Sequence, residues 1–312
     1  MSNISLFSRA IILSMCAFTF LINGKTAFSA SDLINYSFPG SYGTVISLYD
    51  FNGTANPDLL IGGSKHDINS LVPSKILKSN VSAFLFKSSD GKNILFDTGF
   101  GVSGKPGGKL LQALKEINIS PADIDVVMLT HMHSDHIGGL LDTTGKPRFP
   151  TAVIYVADAE KDYWFSDSHK NALPAANRGN FDKARKALSA YGDKVLTFTP
   201  SKEFPGINLL PHITAIDASG HTPGHTAYII GGRKLIMGDI VHFAEVQFSK
   251  PYISVKYDVD PDAARETRIR LFKIAIEKKL QIYGMHLPFP AKGSISFGNE
   301  KDSYTFINGS QF

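Results

Sequence analysis

The sequence predicts a mixed α/β fold, because short apolar runs of strand length alternate with segments of helical spacing. The run at residues 125–130 is apolar and β-branched, as in a buried strand. A helical segment, by contrast, places Leu110, Leu114 and Ile117 three and four residues apart. Several strand-like runs end directly in His or Asp. This is typical of α/β proteins, in which strands deliver functional side chains to one edge of a sheet.

The first third of the chain contains one clear hairpin. Residues 31–80 are short apolar pieces separated by Gly, Asn and Ser, and we predict irregular strands and a long loop there. Residues 81–87 and 93–97 flank Ser-Ser-Asp-Gly and predict a β-hairpin. A helix over residues 109–117 and a helix start or turn at residues 120–123 follow.

The rest of the chain continues the alternation. Predicted strands cover residues 125–130, 152–156, 194–199, 208–218, 226–230 and 234–237. Predicted helices cover residues 158–165, 177–191 and about 260–279. The last helix has the clearest start, because Asp260 can cap it and Pro261 fits the first helical position.

The decapeptide at residues 130–139, Thr-His-Met-His-Ser-Asp-His-Ile-Gly-Gly, predicts a metal site at the end of a strand. Neutral imidazole and carboxylate are the ligands that a zinc-type ion takes. Gly138 and Gly139 allow the backbone to turn tightly beside such a site. The alternative is a polar loop that is merely rich in histidine. The candidate ligands are His131, His133, Asp135 and His136.

Three later segments favour the metal interpretation, because each places a ligand-type residue directly after a short apolar run. His221 lies in Ser-Gly-His-Thr-Pro-Gly-His after the run ending at residue 218. Asp239 follows Met-Gly, and His286 follows Gly-Met after residues 281–283. Ligands that follow several strands would meet at one edge of a sheet.

Together, these motifs resemble those of the metallo-β-lactamase-fold hydrolases, over residues 82–307. Asp97-Thr98-Gly99 also matches an element of that family. Residues 238–248 and 286–290 are similar to the group of methyl parathion hydrolase-like and quorum-quenching lactonase-like enzymes. The resemblance implies an αβ/βα four-layer sandwich with a metal site along one edge. It also implies one hydrolase domain over residues 31–312.

The resemblance implies two divalent metal ions, with zinc favoured. The first ion would be held by His131, His133 and His221. The second ion would be held by Asp135, His136 and His286, and Asp239 would bridge both. Two such ions, about 3.5–4 Å apart, can share a hydroxide that attacks the substrate.

Three further residues, His242, His225 and Asp97, are assigned roles near these ligands. Asp135 and Asp239 are also counted as catalytic, together with His242. Lactone-hydrolysing relatives carry a tyrosine at the spacing of His242, and a histidine there could donate a hydrogen bond to the substrate. The alternative is a packed or solvated loop histidine. His225 either supports the ligands or belongs to the turn chemistry, and Asp97 is expected to orient a ligand loop rather than bind metal.

The substrate pocket is the point where the resemblance is incomplete. Trp164 stands where the parathion hydrolase type has a pocket tryptophan, although core packing is the alternative. Ser103 and Asn180 stand at or near the other aromatic positions of that pocket. Nearby phenylalanines could replace the missing aromatics; these are Phe100, Phe165 and Phe181.

The first thirty residues predict a secretory signal peptide. Arg9 precedes a charge-free run over residues 10–22, and Ser29 or Ala30 is the expected cleavage site. That run is short for a membrane span of about 20 residues, so we expect no stable membrane insertion after cleavage. The protein is therefore expected to be exported, either periplasmic or secreted. Cys16 is the one cysteine, so the mature chain would carry no thiol ligand and no disulfide.

The charge distribution and the motifs together indicate which kinds of molecule the protein binds. Two of the 32 basic residues and none of the 28 acidic ones lie in the leader, and no basic run stands out. The sequence therefore gives no electrostatic case for nucleic acid. We expect a small-molecule substrate with an ester-type bond: a lactone, a carboxyl ester or a phosphotriester. A β-lactam hydrolase is the alternative, followed by a non-hydrolytic metal-binding or redox protein, and a homodimer stays open.

Overall fold

Two seven-stranded β-sheets carry the fold in the computed structural model, which describes residues 35–101, 108–175 and 178–309. The strands of the first sheet are β1 Asn35–Gly40, β2 Gly43–Ala55, β4 Leu77–Ser88, β5 Asn93–Phe96, β6 Val126–Met128, β7 Val153–Ala157 and β8 Val195–Phe198. They lie in that order across the sheet. The first four pair antiparallel, whereas β5 to β8 pair parallel.

The second sheet is built from the later part of the chain. Its strands are β9 Ile207–Leu210, β10 Ile213–Asp217, β11 Thr226–Ile230, β12 Lys234–Ile236, β14 Gln281–Tyr283, β15 Lys292–Phe297 and β16 Tyr304–Asn308. They lie side by side in that order, and only β12 and β14 pair parallel. A separate two-stranded ladder joins β3 Leu60–Ile61 to β13 Ser254–Val255.

Eight α-helices connect these strands within the described residues. They are α1 Lys65–Leu71, α2 Leu110–Glu116, α3 Ser134–Ile137, α4 Asp158–Phe165, α5 Asp167–Ala172, α6 Gly179–Ser189, α7 Ala244–Gln247 and α8 Pro261–Glu277. The Asp260 side chain caps α8 by accepting from the Ala263 N–H, and Pro261 opens the helix, as predicted. No helix in the described ranges combines the length and the apolar character needed to cross a membrane.

Alternating side chains on the strands produce a layered core. Phe84 of β4 lies between the sheets against Tyr283 of β14, with ring centroids 5.6 Å apart. Leu85, one residue along, points to the opposite face and packs with Leu114 of α2 and Leu188 of α6. On the far side, α8 packs against the second sheet. The layers are therefore helix, sheet, sheet and helix, which confirms the predicted αβ/βα four-layer sandwich.

Two predictions about the elements were wrong. Residues 31–80 were expected to hold irregular strands and a long loop; strands are present, but in place of the long loop β1 and the 13-residue β2 form a hairpin at the edge of the first sheet. The predicted strand over residues 208–218 is two strands, because the chain turns at His212, which has a φ of 65°. The predicted signal peptide and Ser103 lie outside the described residues.

Candidate metal centre

The candidate ligands lie together at one edge of the two sheets, because each follows the end of a strand. His131 lies three residues beyond β6, His221 four residues beyond β10, and Asp239 three residues beyond β12. His286 likewise follows β14 by three residues. The loops are held to one another by backbone hydrogen bonds, such as Thr226 N–H to the Thr130 carbonyl at 2.9 Å.

Three imidazole nitrogens form the first cluster. His131 Nε2 lies 3.0 Å from His133 Nδ1, which lies 2.9 Å from His221 Nε2. Nitrogens at these distances are too close for three neutral lone pairs to face one another without a shared proton or cation. His131, His133 and His221, the predicted ligands of the first ion, therefore form one cluster whose donor atoms lie within 4.8 Å of one another.

The second cluster contains Asp135, His136 and His286, and Asp239 lies between the two clusters. Asp135 Oδ2 is 3.6 Å from both His136 Nε2 and His286 Nε2. Asp239 Oδ1 is 3.2 Å from His136 Nε2. Asp239 Oδ2 is 3.0 Å from His286 Nε2 and 3.3 Å from His221 Nε2. The Asp239 carboxylate therefore faces both clusters, the position that a bridging ligand requires.

The chemistry of the donor atoms fits divalent cations. His136 Nε2 and Asp239 Oδ1 are buried and make no hydrogen bond within the described chain, although they lie 3.2 Å apart. Buried polar atoms normally find partners, so two unpartnered acceptor-type atoms that face each other fit a site that a cation would complete. The donors are imidazole nitrogen and carboxylate oxygen without sulfur, which is a set that zinc-type ions accept.

Hydrogen bonds fix four of the five clustered histidines in the tautomer that a metal needs. In each, Nδ1–H donates outward and the Nε2 lone pair faces inward. The acceptors are Thr130 Oγ1 for His131 at 3.1 Å, Asp97 Oδ2 for His136 at 2.7 Å, Asp258 Oδ1 for His221 at 2.8 Å and the Asn80 carbonyl for His286 at 2.5 Å. His133 instead points Nδ1 inward.

Asp97 lies outside both clusters and holds the loop that carries them. Besides accepting from His136, it accepts from Thr130 N–H and Thr130 Oγ1–H, both at 2.7 Å. Its carboxylate therefore connects the first residue of the histidine-rich motif with the last histidine. This placement agrees with the expectation that Asp97 orients ligands.

Burial and charge set the protonation of the site. Burial lowers the pKa of His133 to about 3, and the nearby His221 adds to the shift. Burial alone would raise the pKa of Asp239, but the surrounding histidines, His136 first, hold it well below its usual range. Burial alone would also lower the pKa of His221, but its contacts with Asp239 and Asp258 raise it to about 9, and nearby carboxylates raise the pKa of His136 and His286. The site therefore combines an ionised Asp239 and a neutral His133 with protonated rings, whose protons a bound cation would displace.

His225 supports Asp239 and does not join either cluster. Its Nδ1–H donates to the Ala218 carbonyl at 2.9 Å, and its Nε2 accepts from the Asp239 N–H at 3.0 Å. Burial lowers the pKa of His225 to about 3, which keeps the ring neutral and able to accept. Of the two interpretations left open by the sequence, the geometry favours the supporting one.

His242 is buried among the ligands, so it is not a solvated loop residue. Its ring is 6% exposed and stacks on His286 with centroids 5.2 Å apart. His242 Nε2 lies 3.2 Å from Asp239 Oδ2, while Nδ1 has no hydrogen-bond partner in the described chain. The ring also borders the cavity above the clusters. This position is compatible with a contact to substrate or with support of Asp239.

A cavity of about 750 Å³ opens above both clusters. Six of the twenty described residues that line it are Phe, Tyr or Trp: Phe100, Tyr163, Trp164, Phe181, Phe243 and Tyr257. Trp164 is 3% exposed and lies edge-on to His133, so it is both packed in the core and part of the wall. Phe100 and Phe181 line the cavity as expected, together with Asn180. Phe165 does not and is largely exposed.

Sequence reasoning missed two buried carboxylates that serve the site, Glu160 and Asp258. Glu160 Oε1 accepts from Met132 N–H and Trp164 Nε1–H at 2.8 and 2.6 Å. Glu160 Oε2 accepts from Thr222 Oγ1–H and Gly224 N–H at 2.6 and 3.1 Å. The available signal was weak: Glu160 lies one helical turn before Trp164, and Asp258 begins an Asp-Val-Asp-Pro-Asp run.

Comparison with known families agrees with the site. The sequence profile described as "Metallo-beta-lactamase superfamily" matches residues 77–286, which include every clustered residue named above. The motif-based resemblance is therefore confirmed.

Two curated relatives match parts of the chain. The chain is 29% identical over 158 residues to "Probable metallo-hydrolase YqgX" of Bacillus subtilis, covering 50% of this chain and 64% of the relative. It is 32% identical over 115 residues to "N-acyl homoserine lactonase AiiB" of Agrobacterium fabrum, covering 28% of this chain and 41% of the relative. The chain thus spans less than two thirds of either relative.

Solved structures match over most of the chain. The hydrolase AbOPH, described as a member of the beta lactamase superfamily, superposes with a TM-score of 0.79 at 28% identity, covering 88% of this chain and 96% of that one. AidC, described as a dizinc quorum-quenching lactonase, superposes with a TM-score of 0.77 at 24% identity, covering 88% and 97%. The second likeness concerns the fold alone.

Proposed function

The chain belongs to the metallo-β-lactamase superfamily, and we propose that it is a hydrolase that uses two divalent ions, zinc first, to cleave ester-type bonds. One observation carries the proposal. Four histidines direct Nε2 inward while their Nδ1–H groups are bound outward, and the Asp239 carboxylate lies between the two clusters to which they belong. Such a site has ligands for two ions and opens to a cavity, as a catalytic centre requires.

When bound, the two ions would polarise the ester oxygen and supply a hydroxide from water near neutral pH. The remaining steps belong to the chain. Hydroxide adds to the carbonyl or phosphoryl centre, and the bond to the leaving oxygen breaks. Asp135 lines the cavity and is the more exposed of the two carboxylates, so we assign to it the transfer of the water's proton to the leaving oxygen. His242 is placed to donate to the oxygen that gains charge.

The cavity favours neutral substrates with an apolar substituent. Six of its lining residues are Phe, Tyr or Trp, and Lys256 is the only Lys or Arg among the described residues that line it. A β-lactam carries a carboxylate that a cationic wall would bind better. We therefore rank lactones and carboxyl esters first and aryl phosphotriesters next. The lactonase name of the Agrobacterium relative supports placing lactones first.

A substrate panel tests the proposal. The purified protein, loaded with zinc, is assayed against matched lactones, aryl esters, phosphotriesters and β-lactams, with Asp239→Asn as the control variant. We expect turnover of at least one ester class that both chelation and the control abolish. Turnover confined to β-lactams, or no turnover of any class by zinc-loaded protein, would overturn it.

A further inference from the structure

We propose that Asp258 is a positioning residue that fixes the ring of His221 and so sets the affinity of one of the two metal sites; this rests on the proposed metal centre. Asp258 lies 37 residues from His221 in sequence and on a different element, just before α8. The short segment that carries Asp258 also borders the cavity through Lys256, Tyr257 and Val259.

The contact itself selects the tautomer of His221. Asp258 Oδ1 accepts from His221 Nδ1–H at 2.8 Å, and both side chains are buried. With the proton held on Nδ1, the Nε2 lone pair is left facing His133 and Asp239. A carboxylate in this position also raises the basicity of the imidazole and therefore its strength as a ligand.

The backbone beside Asp258 holds His221 as well. Val259 N–H donates to the His221 carbonyl at 2.9 Å, and Asp260 N–H donates to the Gly220 carbonyl at 3.0 Å. The segment is in turn fixed by Lys256 N–H, which donates to the Leu59 carbonyl at 2.9 Å, beside the β3–β13 ladder. Consecutive residues thus hold the ring and the main chain of His221 from one side.

The charge of Asp258 is needed because both of its oxygens face donors. Oδ1 meets His221 Nδ1–H, and Oδ2 meets Val255 N–H at 3.1 Å. An asparagine would turn its NH₂ toward one of the two donors. Facing His221, that NH₂ would favour the tautomer with hydrogen on Nε2, which cannot bind metal.

The effect should fall on one site, because the second cluster has its own carboxylate. His136 donates to Asp97, and His286 donates to a backbone carbonyl, so neither depends on Asp258. Loss of such an outer partner typically costs about 10–100-fold in metal affinity. We therefore expect Asp258→Asn to weaken one of two binding steps by about that factor and to leave the other within about threefold.

The experiment is a metal titration that uses no substrate. Metal-free full-length protein is titrated with Zn²⁺ against a chromophoric chelator, and with Co²⁺ while the visible spectrum is recorded. Asp260→Asn is the matched control. It makes the same Asp-to-Asn change two residues after Asp258 and keeps a side-chain oxygen that can cap α8. A double-mutant cycle with His221→Ala completes the set.

The outcomes are distinct. The proposal is supported if Asp258→Asn weakens one binding step and changes the Co²⁺ spectrum while Asp260→Asn behaves like wild type. It also requires that the double variant bind metal no more weakly than His221→Ala alone. Two wild-type affinities in Asp258→Asn overturn it. Equal loss of both ions also overturns it, as does an additive cost in the double variant, because Asp258 would then act on the fold rather than through His221. Since activity is not read, absent ester hydrolysis would refute the proposed function without touching this result.

Discussion

Replacing Glu160 with glutamine should lower stability by an amount that its four hydrogen bonds define. The carboxylate joins the loop of His131 and His133, through Met132 N–H, to the turn that follows His221, through Thr222 and Gly224. Burial raises the pKa of Glu160, and its four donors oppose that shift. Both carboxylate oxygens accept hydrogen bonds in all four contacts. A glutamine side chain has only one acceptor oxygen, because its NH₂ group donates, so it cannot replace the carboxylate fully.

The magnitude follows from which donor loses its partner. If the glutamine NH₂ replaces Oε2, the Thr222 hydroxyl can rotate and accept, and only Gly224 N–H is left unpaired. One lost hydrogen bond to a charged group costs about 1.5–3 kcal/mol. Glu160→Ala would instead leave Met132, Trp164 and Gly224 N–H groups unpaired, at about 1–3 kcal/mol each. We therefore expect a loss of about 1.5–3 kcal/mol for glutamine and about 3–9 kcal/mol for alanine.

Urea unfolding of the metal-free variants measures both losses without a contribution from metal binding. Glu266→Gln on the exposed face of α8 is the matched control and should stay within about 0.5 kcal/mol of wild type. A glutamine variant as stable as the control would refute the reasoning, because it would show that the lost contact to Gly224 N–H carries no net free energy. Equal losses for glutamine and alanine would refute it too.

Three further predictions concern the metals, His242 and export. Protein purified without chelator should hold close to two divalent ions per chain by elemental analysis. His131→Ala should lose one of them and Asp239→Ala should disturb both, whereas trace metal in wild type would contradict this. His242→Leu should lower kcat about 10²–10³-fold with metal content unchanged; a kcat near wild type would favour a packing role, and lost metal a supporting one. N-terminal sequencing from the native host should begin near residues 29–32, and an intact Met1 would refute export.

The elements that the sequence predicted well are those with strong local signals. The helix over residues 158–165 is α4 with the same bounds, and the strand over residues 226–230 is β11. The β4–β5 hairpin and the capped start of α8 also agree. By contrast, β2 was missed because its polar and glycine-containing second half lacks a clear period-2 pattern, although it pairs along its whole length with β4.

The sequence could predict that the seven proposed ligands lie close together, because each belongs to a loop or short helix that follows a strand-like run. The residues that hydrogen-bond to the ligands and their loops could not be predicted in this way. Asp258 and Glu160 come from segments with no ligand motif, and they meet His221, Met132 and Gly224 only through contacts 28 to 64 residues apart in sequence. Such contacts depend on how loops cross at the sheet edge, which no local period encodes.

The histidine-rich motif is therefore not sufficient to specify the site by itself. An imidazole binds metal through one nitrogen only if the other is occupied, and here the acceptors differ for each ring. His136 donates to a carboxylate that follows β5, His221 to a carboxylate before α8, and His286 to a carbonyl of β4. Because those acceptors belong to separate segments of both sheets, the fold must be complete before the nitrogens can face inward. Loss of the Asp258 carboxylate should then weaken one site selectively, while loss of Glu160 should loosen both loops of the first cluster together.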